Sequence, residues 1–203
     1  MTYWGSGIDV RSGSAVVTAR FSSRRRIGAN YADTVSDVVS LELLLDPESE
    51  AAVRADWQRL ADAGLSSLAA HTSPSNRPHL TLLARPTLAA LDVSGVVARL
   101  PIPVRLGAAL LFGAGDRRVL ARHVVPTGDL LAVHRGVHTA AGDTEADAPH
   151  TAPGAWTPHI TLARRLRLET LPQALDLLGP EIEGALVSLR RWDSASARVT
   201  VLG

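Results

Sequence analysis

Residues 78–82 read Pro-His-Leu-Thr-Leu and residues 158–162 read Pro-His-Ile-Thr-Leu, so one pattern occurs twice with its histidines 80 positions apart. Both copies lie at the start of a short apolar run, which predicts a β-strand. A proline before each histidine fits the first position of a strand, where no hydrogen-bond donor of the ladder is lost. Two copies in matching context predict a pair of imidazoles that internal symmetry brings together.

The segments around the two motifs repeat as well. Each motif strand follows an apolar strand and a helix, and precedes a second helical pattern and a longer strand. The helix after the first motif is the weaker one and covers part of 88–98. Residues 38–112 and 118–192 are therefore interpreted as two copies of one β-α-β-α-β unit, related by a pseudo-twofold axis. A final strand is predicted over 197–202.

Capping residues mark where the helices begin. Asp46 is predicted as the N-cap of the first helix, with Pro47 at its first position. Thr127 takes the same role in the second copy. Thr170 and Gln173 form a predicted capping box for the last helix.

Composition excludes several classes of protein. A chain of 203 residues that is 46% hydrophobic can form one domain, or two small lobes that share a core. No apolar run reaches the roughly 20 residues of a membrane-spanning helix, and the N-terminus lacks a secretory pattern, so we expect a cytoplasmic protein. The chain contains no cysteine, which excludes disulfides and thiolate chemistry. A net charge of +1 does not favour binding to duplex DNA.

Residues 1–37 differ from the rest of the chain. They are rich in Ser, Gly and Arg and have no sustained helical or strand period. We expect a poorly ordered or loosely packed extension there, followed by one domain over 38–203. Two alternatives stay open, namely a basic tail that touches RNA and a translation start near Val35 or Val38.

The alternation of side chains along a strand decides what each motif presents. Alternate side chains along a strand face the same way, so His79, Thr81, Leu83 and Arg85 are predicted to share one face. In the second copy His159, Thr161 and Arg165 do the same, while the aliphatic residues between them point into the core. The pseudo-twofold axis would then bring both His-x-Thr faces to one cleft.

These residue types suit acid–base chemistry on a phosphodiester. Imidazole titrates near neutral pH, so one histidine can accept a proton while the other donates one. The hydroxyl of Thr81 or Thr161 can donate to a non-bridging phosphate oxygen. A zinc site is the alternative for two histidines, but neither motif face carries the third His or carboxylate that catalytic zinc usually has. No metal is therefore expected.

The repeated Pro-His-x-Thr-Leu resembles the signature of the 2H phosphoesterase superfamily, and particularly its bacterial 2'-5' RNA ligase and cyclic phosphodiesterase branch. The resemblance covers residues 38–202. It implies an α+β fold in which two antiparallel-type sheets enclose a central groove, with helices outside. It also implies that His79 and His159 act as general acid and base on a 2',3'-cyclic phosphate, that Thr81 and Thr161 hold the phosphate, and that no metal or nucleotide cofactor takes part.

Three further residues are predicted to bind substrate. Arg85 and Arg165 follow their threonines by four residues and are candidates for phosphate contacts. Trp192 is a candidate for stacking a base, whereas Phe112 more readily fits core packing. The expected partners are RNA ends or a small cyclic nucleotide, and a monomer suffices to build the site. Hydrolysis, 2'-5' ligation without ATP, and a non-catalytic RNA-binding role stay open as alternatives.

Overall fold

The computed structural model describes residues 37–144 and 146–203. The predicted extension over 1–37 lies outside these residues, except for Asp37. The element order agrees with the predicted one, since strand–helix–strand–helix–strand occurs twice and is followed by a last strand. The strands are β1 (Val39–Leu45), β2 (His79–Arg85), β3 (Ile102–Phe112), β4 (Arg117–Val124), β5 (His159–Arg167), β6 (Ile182–Asp193) and β7 (Arg198–Val201); the helices are α1 (Pro47–Asp62), α2 (Ser94–Val97), α3 (Gly128–Ala141) and α4 (Leu171–Asp176).

The two long helices begin where the capping residues predict. The carboxylate of Asp46 accepts hydrogen bonds from the backbone N–H groups of Glu48 and Ser49, and Pro47 occupies the first turn of α1. The hydroxyl of Thr127 accepts from the N–H of Leu130 at the start of α3. Each cap satisfies donors that the first turn of a helix leaves without a partner.

The predicted capping box of the last helix is wrong. The hydroxyl of Thr170 donates backwards to the carbonyl of Arg167 and caps nothing in α4. A 3-10 turn over Leu168–Thr170 occupies the position where the box would form. The helix after the first motif is also shorter than predicted, because only Ser94–Val97 is helical within 88–98.

All seven strands belong to one antiparallel sheet, in the order β1-β2-β5-β4-β3-β6-β7, and a further pairing of β1 with β6 closes the first six strands into a ring. The fold is mixed α/β, and the two separate sheets expected from the resemblance are therefore joined. The joining contacts are β2 with β5 on one side, and β3 with β6 on the other.

The registers at these joins are those that a twofold axis would produce. Leu80 pairs with Ile160, which is the residue 80 positions later. On β3 and β6, Val104 pairs with Gly184, again 80 positions later, and the flanking pairs are arranged evenly around it. The duplication of the two segments itself stays a prediction.

The core lies on one face of β1 and β2. Leu41, Leu43 and Leu45 on β1 belong to it, together with Val53, Trp57 and Leu60 of α1. These side chains are at most 2% exposed. Ser40, Glu42 and Leu44 alternate with them and point to the opposite face. We call this opposite face, which also carries the motif histidines, the motif face.

Candidate active site

Both motif histidines are held in the same way. Nδ1 of His79 lies 2.7 Å from the carbonyl oxygen of Arg77, and Nδ1 of His159 lies 2.7 Å from that of Thr157. Because a carbonyl oxygen can only accept, Nδ1 carries the proton in each ring. The lone pair of the neutral ring therefore lies on Nε2, which is left to exchange a proton with a substrate.

The two motifs meet where β2 contacts β5. The only residue pair joining these strands in the described chain is Leu80 with Ile160. Both side chains are buried in the core, so the residues before and after each of them lie on the motif face. His79, Thr81, His159 and Thr161 are thereby brought together from positions far apart in the sequence.

A β-bulge follows each threonine. On β2, Glu42 pairs with Thr81 but Leu41 pairs with Leu83, so Leu82 is an extra residue. On β5 the same irregularity makes Leu162 an extra residue. A bulge interrupts the alternation of side chains and redirects the strand. The predicted alternation therefore holds as far as the threonines and fails beyond them.

Two tryptophans from opposite parts of the chain support the bulges. The indole Nε1–H of Trp57, on α1, donates to the carbonyl of Thr161 at 3.0 Å. The Nε1–H of Trp156, from the loop before the second motif, donates to the carbonyl of Thr81 at 3.1 Å. Within residues 37–144 and 146–203 neither threonine hydroxyl has a hydrogen-bond partner, so both can donate to a ligand.

A buried carboxylate lies beside His79. Oε1 of Glu42 is 3.7 Å from Nε2 of His79, and it accepts a hydrogen bond from the hydroxyl of Ser40 at 2.6 Å. The other oxygen, Oε2, accepts from the guanidinium of Arg190 at 2.7 Å. The third nitrogen of that guanidinium, Nη1, donates to the carbonyl of Ser75. Glu42 and Arg190 are opposite one another on β1 and β6, in the same row as Thr81.

Burial alone would raise the pKa of Glu42, but the positive charges of His79 and Arg190 and the hydrogen bonds from Ser40 and Arg190 outweigh it and lower the pKa below its ordinary value. Glu42 is therefore ionised at neutral pH. A carboxylate at this distance stabilises positive charge on the imidazole of His79.

The equivalent positions beside His159 are apolar. Ala121 is opposite Thr161, as Glu42 is opposite Thr81, and Leu110 is opposite Ala121. The ring of Phe112 packs against that of His159 with 4.5 Å between centroids, and also against His150 at 4.8 Å. The two histidines thus occupy matching backbone positions in different electrostatic surroundings.

The pKa of His159 is lowered from its ordinary value. Burial is the main cause, and the nearby His150 and His79 add to it because a second positive charge there would be repelled. The hydrogen bond to Thr157 opposes the shift without cancelling it. At neutral pH His159 is therefore neutral.

Sequence reasoning missed four residues on the motif face. They are Ser40, Glu42, Arg190 and His123, the last of which is opposite His159 on β4. Glu42 carried a readable signal, because it is the only charged residue in the apolar strand VSLELLL. A charged residue in a strand that is buried throughout needs a partner. The partner, Arg190, lies 148 positions later and could not be identified from the sequence.

The structure does not support the predicted phosphate contact of Arg85. Its side chain is buried, and all three guanidinium nitrogens are already hydrogen-bonded. Nε donates to Asp147 at 2.5 Å, and the other two nitrogens donate to the carbonyls of Ala141 and Gly142 at the end of α3. Arg85 therefore fastens the loop after α3 to the end of β2.

Arg165 and Trp192 lie in different surroundings from Arg85. Arg165 is exposed and lies at a second irregularity of β5, with a φ of 60°. Trp192 is half-buried on β6, two residues beyond Arg190, and therefore on the motif face. Its cross-strand neighbours are Ser40 and Val199. The predicted roles of both residues in binding substrate stay predictions.

Among the described residues there is neither a three-residue metal-binding group nor a helix that could cross a membrane. Within residues 37–144 and 146–203, no group of three or more His, Asp or Glu side chains is placed to hold a metal ion. Among the helices of these residues, none combines the length and apolar character needed to cross a membrane.

Comparisons with known proteins found similar solved structures and one matching family model. Two solved structures of Kluyveromyces marxianus Usb1 are similar to this chain, one of them with uridine monophosphate. They are 13% and 14% identical to it, with TM-scores of 0.44 and 0.41, and in each case the match covers 82% of this chain and 98% of the other. No curated protein matches.

A family model described as the 2'-5' RNA ligase superfamily matches residues 91–202, which is more than half of the chain. The matched segment includes the second motif and begins after the first. It confirms the resemblance to 2H phosphoesterases drawn from the repeated Pro-His-x-Thr-Leu pattern, and the chain belongs to the 2'-5' RNA ligase superfamily.

Proposed function

We propose that this protein is a phosphodiesterase that opens 2',3'-cyclic phosphates on RNA ends or small nucleotides. The observation that carries the proposal is the identical setting of the two histidines, each with Nδ1 on a backbone carbonyl two residues earlier and Nε2 left for proton exchange. Membership of the superfamily supports phosphoesterase or ligase chemistry on RNA. The different electrostatic surroundings of the two histidines then suggest which one is the general base and which the general acid.

In the proposed reaction His159 is the general base and His79 the general acid. Neutral His159 takes a proton at Nε2 from a water molecule as the water oxygen attacks phosphorus. The bond between phosphorus and one ribose oxygen breaks, and protonated His79 gives its Nε2 proton to that oxygen. The product is a phosphate monoester, and the two histidines exchange protons with solvent before the next turnover.

Glu42 and the two threonines complete the proposed site. Glu42 stabilises the protonated form of His79, which is the form that a general acid needs. The hydroxyls of Thr81 and Thr161 donate to the non-bridging oxygens, where negative charge grows during attack. Trp192 is proposed to stack a base of the substrate. The scheme needs no metal.

The alternative activity in the same site is 2'-5' ligation. A ribose 5'-hydroxyl would replace the attacking water, and the same two proton transfers would apply. Membership of the 2'-5' RNA ligase superfamily supports this alternative. A non-catalytic RNA-binding role is the third candidate, and it predicts binding without turnover.

The deciding experiment measures hydrolysis of a nucleoside 2',3'-cyclic phosphate in the presence of EDTA. We expect turnover that survives chelation and that falls by at least about 10²-fold in His79→Ala and in His159→Ala. His71→Ala is the matched control, because His71 is exposed and lies in the loop before β2. Wild-type rates in the two motif variants, or a rate abolished by EDTA, would contradict the mechanism. A wild-type protein that binds the nucleotide without turnover would favour the binding role.

A further inference from the structure

Four exposed arginines lie together at one end of β4 and β5. We call them the arginine cluster: Arg117, Arg164, Arg165 and Arg167. The register puts Arg117 opposite Arg167, and the irregularity of β5 that carries Arg164 and Arg165 lies between this pair and the motif. Arg118 does not belong to the cluster, because it is opposite the buried core residue Leu166 and therefore points to the other face of the sheet.

The acidic groups beside the cluster do not neutralise it. Glu169 pairs with Arg167 at 2.7 Å, but both side chains are more than 60% exposed. Asp116 is the other acidic neighbour along the chain. In the part of the chain that the structure describes, the other three arginines have no ion pair. Four positive charges against two negative ones leave an excess of two.

One detail of the cluster runs against stability unless an anion is bound. Arg117 and Arg167 are directly opposite each other, and like charges in this relation destabilise a sheet. Arg85, 80 positions before Arg165, is by contrast buried and paired with Asp147.

Three of the four arginines lie on the strand that carries His159. Arg165 follows His159 by six residues, which corresponds to at most about 20 Å along a strand at roughly 3.3 Å per residue. A single-stranded nucleic acid passes several phosphates over that length. Guanidinium groups form paired hydrogen bonds with phosphate oxygens, so a row of them fits a sugar–phosphate backbone.

We infer that the arginine cluster is a binding site for the backbone of a single-stranded RNA whose cyclic phosphate end lies at the histidines. This inference rests on the proposed function and narrows its substrate from a small nucleotide to an oligonucleotide. The site binds phosphates several nucleotides away from the reacting end, and it does so on the His159 side alone.

The test measures binding of a labelled oligoribonucleotide of about ten nucleotides that ends in a 2',3'-cyclic phosphate, by fluorescence anisotropy at several salt concentrations. The variant is Arg117→Gln/Arg164→Gln/Arg167→Gln. The matched control is Arg99→Gln/Arg105→Gln/Arg135→Gln, which removes the same charge from exposed arginines elsewhere. Circular dichroism checks that both variants are folded.

We expect the cluster variant to bind at least about tenfold more weakly at roughly 50 mM salt, and the slope of log K against log salt to fall by about 2, since each neutralised phosphate contact contributes about 0.7. The control should bind within about twofold of wild type. Hydrolysis of a nucleoside 2',3'-cyclic phosphate should be unchanged in the cluster variant, because that substrate does not reach the cluster.

Equal oligonucleotide binding by the cluster variant and the wild type would overturn the inference. An equal loss in the control would also overturn it, since it would show that net charge alone matters. A failure of the proposed function would be seen in a different measurement, the turnover of a cyclic phosphate. If wild-type protein does not turn over any cyclic phosphate, the anisotropy comparison still decides whether the cluster binds RNA.

Discussion

The indole of Trp57 donates to the backbone carbonyl of Thr161 at 3.0 Å, across 104 residues of sequence. A helix of the first half of the chain thereby fixes the motif strand of the second half. Trp156 makes the reciprocal contact with Thr81 from the second half. Each threonine of the candidate site depends on a tryptophan from the other half, so the geometry of the site is set by the whole domain.

This contact predicts a loss of activity in Trp57→Phe. The substitution keeps an aromatic ring and removes the indole N–H, which leaves the carbonyl of Thr161 without its partner. We expect unfolding free energy to fall by about 1–3 kcal/mol and kcat to fall severalfold, as measured by denaturant titration and steady-state kinetics. Leu60→Val, in the same helix, is the control for stability alone. If Leu60→Val lowers kcat as much as Trp57→Phe does, the indole contact has no special role.

The carboxylate of Glu42 predicts a loss of turnover when it is removed. In Glu42→Gln the imidazole of His79 loses the negative charge 3.7 Å from its Nε2. If Glu42 supports proton donation by His79, kcat for hydrolysis of a nucleoside 2',3'-cyclic phosphate should fall by about tenfold or more. An unchanged kcat would contradict the role of Glu42. Because the substitution also leaves Arg190 without a carboxylate, Arg190→Gln/Glu42→Gln serves as control and should show the same loss.

Glu42 also predicts a dependence of stability on pH. Folding lowers the pKa of this carboxyl below its ordinary 4.5, so its ionised form stabilises the folded state above that pH. The contribution disappears as the pH falls through the lowered pKa. Denaturant titrations between neutral and acid pH should show a smaller loss of stability in Glu42→Gln than in wild type. A steeper loss in the variant would show that this carboxyl does not stabilise the fold.

The contact of Phe112 with His159 predicts where the acid limb of the kcat/KM profile lies. Burial lowers the pKa of His159 from its ordinary 6.5, and the ring of Phe112 lies 4.5 Å from the imidazole. The acid limb of kcat/KM should therefore lie below that ordinary value in wild type, since the base must be neutral. Phe112→Ala exposes His159 to water and should move the acid limb upwards. Leu111→Ala, on the neighbouring and exposed position of β3, should leave it unchanged.

Substitution of Arg85 tests its predicted role in binding phosphate. Arg85→Met leaves Asp147 as a buried carboxylate without its guanidinium partner. Breaking one side of such a pair costs about 3–5 kcal/mol, which thermal unfolding can measure. Asp147→Asn should be destabilised in the same direction. If folded Arg85→Met instead keeps wild-type stability and shows a raised KM, the phosphate contact predicted from the sequence would be right.

Local patterns in the sequence were enough to locate most elements of this fold. The limits of β2 and the caps of α1 and α3 follow from residues within one turn or strand. The bulges after Thr81 and Thr161 could not be predicted, because they arise from the register with β1 and β4. The bulge after Thr81 moves Arg85 off the face of His79, to which regular alternation had assigned it.

The candidate site could also be predicted only in part. His79, Thr81, His159 and Thr161 are visible because they repeat. The difference between the surroundings of the two histidines is not visible in the sequence. It depends on Arg190 and Phe112, which reach the site through strand pairing across the ring. Repetition thus predicts what the two halves share, and only the structure gives the features in which they differ.

The ring of strands has a consequence for how the chain can fold. Within the described residues, β3 pairs with β4 and β6, and β6 pairs with β1, β3 and β7. Neither strand pairs with another strand of its own half. Each half therefore gives its third strand to the other, as in an arm exchange between two subunits. The first half expressed alone would have β3 without a partner and open edges on both β1 and β2. We therefore expect it to associate with a second copy, and we expect the intact chain to unfold in one cooperative transition.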